Sequence, residues 1–375
     1  MGLRIPASVW RIIAWARRPA PRSYGRSRAR SAVWLGLAAF IAGTIILNVL
    51  LDTSRAQYRD PEFAWHARHT ARRVAHEPSR PLGIVLGTSR SQMGFSPADL
   101  GLPDDPDSPM VSNFAQSRSV PVYSLMNLRR ILAQGFRPAF VLYEIMPSVI
   151  VADNPSEHFI PADRMSYVDT LAVTDYSEDP TGRYWYGPRI APLQTYRNHI
   201  LAHHLPNWLP VDENKSWVWT RPDPCGWLPI GFDEITPAMR DAYMAPVHDT
   251  YMQSFNSFSV APRMDQAIRE ALQLCRECGI PVALYRMPES PTYRSWYSPG
   301  TREKIDAYLA GLHRDFDVSW FDCSEWLLET DFLDGHHTLR PGAKKFSRRF
   351  GSECLMPWLE SLKRKGIELP PSGQP

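Results

Sequence analysis

Residues 32–51, AVWLGLAAFIAGTIILNVLL, run for 20 positions without a charge. At about 1.5 Å per residue, a helix of that length crosses the roughly 30 Å of a bilayer's hydrocarbon core. Asn48 is the only strongly polar side chain and lies near one end. Residues 1–30 hold eight arginines (Arg4, Arg11, Arg17, Arg18, Arg22, Arg26, Arg28 and Arg30) and no acid, while Asp52 follows the run. Positive charge stays on the cytoplasmic side. The expected order is a basic cytoplasmic arm over 1–31, a transmembrane helix over 32–51, and an extracytoplasmic remainder held by a single pass in the inner membrane. The competing reading is a cleaved signal peptide, whose apolar core is usually only about 7–15 residues long. Residues 6–16, PASVWRIIAWA, suit a short interfacial helix.

The arm also explains the charge balance. The chain has a formal net charge of +3, but taking those eight arginines from the 42 Lys and Arg leaves 34 against 39 acidic residues. The body is mildly acidic, which argues against nucleic-acid binding, since that places the positive charge on the folded domain. Five cysteines are too few for a disulfide scaffold, and Cys275 and Cys278 form a lone CxxC with no second pair to complete a zinc site.

Beyond the span, residues 52–80 are arginine-rich and read as a helical stalk. The folded domain is expected over 81–363, with a disordered tail, ELPPSGQP, inside 364–375. Apolar runs at 82–87, 109–114, 138–147, 280–288 and 318–324 alternate with helical periodicity at 122–134, 263–278, 300–314 and from Pro341 to about 363. PAFVLYEIMP, a continuous apolar run closed by proline, is the pattern of a parallel strand buried on both faces. The fold class is therefore α/β: a three-layer, flavodoxin-like, mostly parallel sheet. Between about 150 and 260 the periodicity dissolves into a segment rich in Trp, Tyr, Pro and His, read as an insertion.

Ligands of open parallel sheets sit beyond the carboxyl ends of the strands. Two segments bring chemistry to that edge. Gly87-Thr88-Ser89 follows the first strand, and FLDGHHTLRPGAKKFS, 332–347, lies between the last strand and the last helix. Asp334 and His337 are three residues apart on one loop. A carboxylate there can hold the imidazole in one tautomer, and the imidazole's other nitrogen can take a serine proton. Ser91 is the rival nucleophile and His336 the rival base.

These two blocks, LGTSRS and DGHHTLRPGAKKFS, resemble the first and last motifs of the SGNH (GDSL-type) hydrolase superfamily, over about residues 81–147 and 262–360. The resemblance implies a triad of Ser89, Asp334 and His337, and no cofactor or metal. Together with the membrane segment and RMPESPTYRSWYSP, it is similar to envelope-associated members that transfer or remove acyl groups on cell-surface polysaccharides, often beside a membrane-bound O-acyltransferase. The chain departs from the pattern. Thr88 replaces the usual Asp, SNFAQSRSV lacks the second-block glycine, and YEIMPS carries Glu144 where an asparagine is usual. The oxyanion donor then has to come from the Ser89 N–H, Asn113, Arg90, or the backbone of Gln116 or Ser117. Arg90 has two further uses: binding an anionic polymer or pairing with Glu144.

Two other patterns stand in the insertion. His199 and His203, at i and i+4, suit a metal on one helix face, but no carboxylate completes them locally. Tyr184, Trp185, Tyr186, Trp208, Trp217, Trp219 and Trp227 suit a sugar-stacking platform, although aromatic residues more often pack cores. The expected function is a serine esterase or O-acyltransferase acting on a cell-envelope polysaccharide. The alternatives are a non-catalytic partner that binds polysaccharide or scaffolds an acyltransferase, and a metal hydrolase that uses the histidines.

Overall fold

Five short apolar segments form one sheet: β1 (Leu82–Leu86), β2 (Met110–Asn113), β3 (Phe140–Glu144), β4 (Val282–Arg286) and β5 (Ser319–Asp322). This computed structural model describes residues 26–54, 56–151, 162–176, 183–209, 222–256 and 258–373. The chain divides into two units, Met1–Leu50 and Leu51–Pro375.

The first unit holds most of α1 (Arg26–Thr53). Within Arg28–Thr53 an 18-residue stretch has a mean hydropathy of 2.2, and none of that stretch is buried within the protein. The helix is long and apolar enough to be a single membrane span or a signal sequence.

In the second unit the strand order is β2-β1-β3-β4-β5, and every pairing is parallel. Parallel neighbours need crossover helices. Between strands the chain supplies α3 (Ser89–Gly94), α4 (Pro121–Ala133), α7 (Pro262–Glu277) and α8 (Pro299–Phe316), and after β5 it adds α9 (Arg340–Phe350) and α10 (Met356–Arg364). Proline begins α4, α7 and α8, where its missing N–H costs nothing and its fixed φ suits the first turn. Strands β1, β2 and β3 are buried at every position. One face packs Ile84, Leu86 and Val141 against Leu125 and Leu128 of α4 and Ile268 and Leu272 of α7. The other packs Val85, Phe140 and Leu142 against Phe346 and Phe350 of α9 and Leu359 of α10. Three layers result, as the alternation implied. The order of strands reverses at β1 and β3, so the crevice where such sheets take ligands lies at the ends of those two strands.

Three segments differ from the sequence reading. The stalk is one. Its helix α2 (Pro61–His76) buries Glu62, Phe63, His66, Ala67 and Thr70. The spacing Phe63, Ala67, Thr70, Val74 is an apolar stripe, hidden in the sequence by the arginines and histidines between. Asp60 caps α2 through the Phe63 N–H at 3.1 Å and also accepts bonds from Tyr123 Oη at 2.9 Å and Arg130 Nη1 at 2.8 Å. This charged cap ties α2 to α4. The tail also differs: Ser372 and Gly373 donate to the carbonyls of Arg80 and Pro78 at 3.0 and 2.9 Å. The aperiodic insertion contains helices Tyr167–Val173, Arg183–Ile190, α5 (Pro192–His204) and α6 (Pro237–Asn256). Pro188 and Pro246 lie inside two of them, and without one continuous apolar stripe their period did not show.

Two outcomes test the place of α2. Phe63 is 5 % exposed, so Phe63→Ala will lower the unfolding free energy by about 3 kcal/mol, measured by denaturant titration in detergent. A free stalk would register within about 0.5 kcal/mol. His66 has neither ring nitrogen hydrogen-bonded, and burial pushes its pKa from 6.5 down to about 4. The unfolded chain therefore binds this proton more readily than the folded one. The stability that His66 contributes is complete above about pH 6.5 and is lost as pH falls toward 4. The melting temperature of His66→Phe will fall less over that interval than that of the unsubstituted protein.

Candidate active site

The turn after β1 is shaped by what it must pass. A Cβ on Gly87 would lie 2.5 Å from Glu144 Oε2 and 2.8 Å from Ser91 Oγ. Only glycine lets the chain run this close to the end of β3. Thr88 then caps α3: its Oγ1 accepts the Arg90 N–H at 3.2 Å, and its carbonyl accepts the Gln92 N–H at 3.0 Å. Ser89 is the first residue of the helix, half-buried, with its hydroxyl at the sheet edge.

The late loop meets it there. Phe332 and Thr338 form a bridge, and Leu333 N–H bonds the His337 carbonyl at 2.9 Å, closing a tight turn. Gly335 supplies the φ of +89° that this turn needs, and a Cβ there would strike Met244 Sδ at 2.7 Å. Asp334 Oδ1 accepts the His337 N–H at 2.8 Å, and Oδ2 lies 2.7 Å from His337 Nδ1. His337 Nε2 lies 2.7 Å from Ser89 Oγ. Ser89, His337 and Asp334 thus form one continuous hydrogen-bonded line across 248 residues of sequence. Burial opposes ionisation of Asp334, but His336, His337 and the His337 N–H together hold its carboxyl well below the usual range. With the carboxylate charged, Nδ1 carries the proton and Nε2 faces the serine as an acceptor.

The rival residues have other work. Ser91 is fully buried and donates to Glu144 Oε2 at 2.6 Å. The His336 ring is buried against Tyr251 and Tyr293, and burial pushes its pKa down to about 3. It is a neutral packing ring.

The expected oxyanion and substrate groups are mostly corrected. Glu144 does not face the serine's reaction space. It is buried and accepts from Thr88 N–H at 2.8 Å, from Thr88 Oγ1 at 3.1 Å and from Ser91. Arg90 is wholly buried, with Nε 3.7 Å from Glu144, Nη1 3.1 Å from Glu289, and Nη2 donating to the Met287 and Pro288 carbonyls at 2.7 and 3.0 Å. It braces the turn rather than meeting a polymer. Asn113 spends its amide on the Ser91 and Phe95 carbonyls at 2.8 and 2.9 Å. The Gln116 N–H is taken by the Gly87 carbonyl at 3.2 Å, and its side-chain oxygen accepts from Asn127 at 3.0 Å. What remains is the Ser89 N–H, in the first turn where a helix has no internal acceptor, and the Ser117 N–H.

Other partners of the turn carried no sequence signal of their own. Glu289 sits in the RMPES segment, which alone gives no reason to expect it beneath the nucleophile. Trp227 donates its Nε1–H to the Met93 carbonyl at 2.7 Å, and Leu228 N–H bonds the Gln92 carbonyl at 3.1 Å. The insertion therefore clamps α3, and Trp227 is packed rather than offered to sugar. Trp208 is exposed, Tyr186 likewise. The side chains of Tyr184 and Trp185, and Trp217 and Trp219 entirely, lie outside the described residues.

Asp334, His336 and His337 bring ligand-type atoms within 4.8 Å of one another. Both His337 nitrogens are already engaged, so a metal here would compete with the triad. His199 Nδ1 lies 2.6 Å from the Tyr58 carbonyl oxygen, and His203 packs on the Tyr58 ring. Among the described residues no carboxylate joins them.

A family model described as Protein of unknown function (DUF1574) matches residues 67–169, and a second model, without a description, matches 251–356. No curated protein matches the chain. Among solved structures, the chain is similar to a Bacteroides fragilis NCTC 9343 protein whose acylhydrolase assignment is itself provisional. That similarity is at 9 % identity and a TM-score of 0.34, over 80 % of this chain and 98 % of that one.

The brace has a measurable consequence. Glu144→Ala leaves the buried Thr88 N–H without its acceptor, Arg90 without one of its two ion-pair partners, and the Ser91 hydroxyl with Tyr285 Oη alone. It will destabilise the protein by about 3 kcal/mol in chemical denaturation, whereas Ser89→Ala, at a half-buried position, will stay within about 1 kcal/mol.

Proposed function

We propose that the chain is a membrane-anchored extracytoplasmic serine acyl-ester hydrolase or O-acyltransferase acting on a cell-envelope polysaccharide. The observation that carries this reading is the pair of 2.7 Å contacts from Ser89 to His337 and from His337 to Asp334. His337 Nε2 removes the hydroxyl proton as Ser89 Oγ attacks the ester carbonyl. The carbonyl oxygen becomes an oxyanion beside the Ser89 N–H, with the Ser117 N–H as the second donor. As the tetrahedral adduct collapses, the ester's alcohol leaves with the proton from His337 and the acyl group stays on Ser89. Water or a sugar hydroxyl, deprotonated by His337, then attacks the acyl-serine and frees the enzyme. Asp334 stabilises the imidazolium in both half-reactions without taking its proton. The apolar helix α1 and the arginine-rich arm support an anchored domain outside the cytoplasm, with a membrane-bound O-acyltransferase as a fitting neighbour.

One observation favours a second reading, a non-catalytic partner of such an acyltransferase. Arg90, Asn113 and the Gln116 N–H are all spent inside the protein, leaving few oxyanion donors. Each lost donor costs about a hundred- to a thousandfold in rate.

A fluorophosphonate probe separates the two. The folded protein will label at Ser89; Ser89→Ala will abolish labelling, and His337→Ala will slow it by about 10³-fold or more. No labelling of the intact protein, with cellular function preserved in Ser89→Ala, would favour the non-catalytic reading.

A further inference from the structure

We infer that an aliphatic face of the insertion rests in the surface of the lipid bilayer. This rests on the reading of α1 as a membrane-spanning helix.

The face is built from helices that assemble around the first residues of the globular unit. Asp52 receives the Tyr167 N–H at 3.2 Å and Arg189 Nη2 at 3.4 Å, and Arg189 also donates to the Met165 carbonyl at 2.5 Å. Arg59 joins this knot through the Leu51 carbonyl at 2.8 Å and Asp52 at 3.0 Å. The helices of Tyr167 and Arg189 carry Val168 at 73 % exposure, Leu171 at 59 % and Ile190 at 70 %, and α5 carries Leu193 at 66 %. Exposed tyrosines, Tyr167 and Tyr186, accompany them. A soluble surface scatters such side chains singly. Here the helices that carry Val168, Leu171 and Ile190 are hydrogen-bonded, through Tyr167 and Arg189, to Asp52.

The chemistry selects the occupant. Val, Leu and Ile offer no ring to stack on a sugar and no donor for its hydroxyls, so a polysaccharide is not matched. Aliphatic side chains flanked by tyrosine suit the boundary between acyl chains and headgroups. The exposed Arg197 lies one helical turn after Leu193, which suits a phosphate. The same region reaches the nucleophile. Arg164 pairs with Glu62 at 2.7 Å, and Glu62 also receives the amide of Gln92, three residues after Ser89. Seating this face therefore sets the height of Ser89 above the bilayer and suits an acyl donor presented at the membrane surface.

The test places nitroxide labels, one at a time, at positions 168, 171, 190 and 193 of the full-length protein reconstituted in phosphatidylethanolamine–phosphatidylglycerol vesicles. Cys225 and Cys278 are replaced by serine, position 40 in α1 is the lipid reference and position 303 in α8 the aqueous one. The expected result is an oxygen-to-nickel-chelate collision ratio at the four positions several-fold above that at 303 and approaching that at 40. Aqueous ratios at all four, with position 40 in lipid, would overturn the seating while leaving the anchor intact. Immobilised labels shielded from both colliders would also overturn it, in favour of a protein partner or a second copy. An aqueous ratio at position 40 would overturn the anchor reading and this inference with it.

Discussion

The site depends on one buried carboxylate. Glu144 ends β3, and it holds the backbone and side chain of Thr88 and the hydroxyl of Ser91. A bare carboxylate in a dry interior would be costly. Here it is saturated by donors from the turn after β1 and neighboured by Arg90, which also pairs with Glu289 beyond β4. Three adjacent strand ends are thereby fastened through a single charge cluster. Gly87 is the geometric counterpart, since any side chain there would collide with the carboxylate. The turn that presents Ser89 is fixed because Glu144 holds its backbone and two of its side chains at once.

The opposing half of the site is held differently. The loop with Asp334 and His337 is a short hairpin, closed by backbone bonds and by the left-handed Gly335. Helix α3, which carries Ser89, packs against α9, which follows that loop, and Ser96 N–H bonds Ser347 Oγ at 2.8 Å. Serine and imidazole thus ride on elements that share a core. Their 2.7 Å separation is set by packing of Phe95 against Phe346 and Phe350 rather than by flexible side chains.

The polar side chains nearest the serine are in structural use. Asn113 and Arg90 hold the turn after β1, and Glu144 accepts from it. The groups left to face the space beside Ser89 are backbone N–H groups, and the Glu144 cluster holds the backbone that carries the first of them.

Much of this was legible in the sequence. The uncharged run at 32–51 needs no tertiary information, because a helix that apolar has few environments open to it. The five strands and their alternating helices were readable from apolar runs and prolines, and residue type, spacing and position at strand ends pointed to Ser89, His337 and Asp334, which the fold joins by hydrogen bonds. Tertiary structure decided the rest. α2 is a wall of the domain and not a stalk, because its narrow stripe of Phe63 and Ala67 is recognisable only beside the groove it fills. The insertion is helical because its helices bury irregular patches that have no period. Arg90, Asn113 and Glu144 stand at the right sequence positions for substrate or oxyanion, but a polar side chain's role is set by which partners lie within about 3 Å. That distance is a property of folded space, where residues 53 to 199 positions apart in the chain become neighbours.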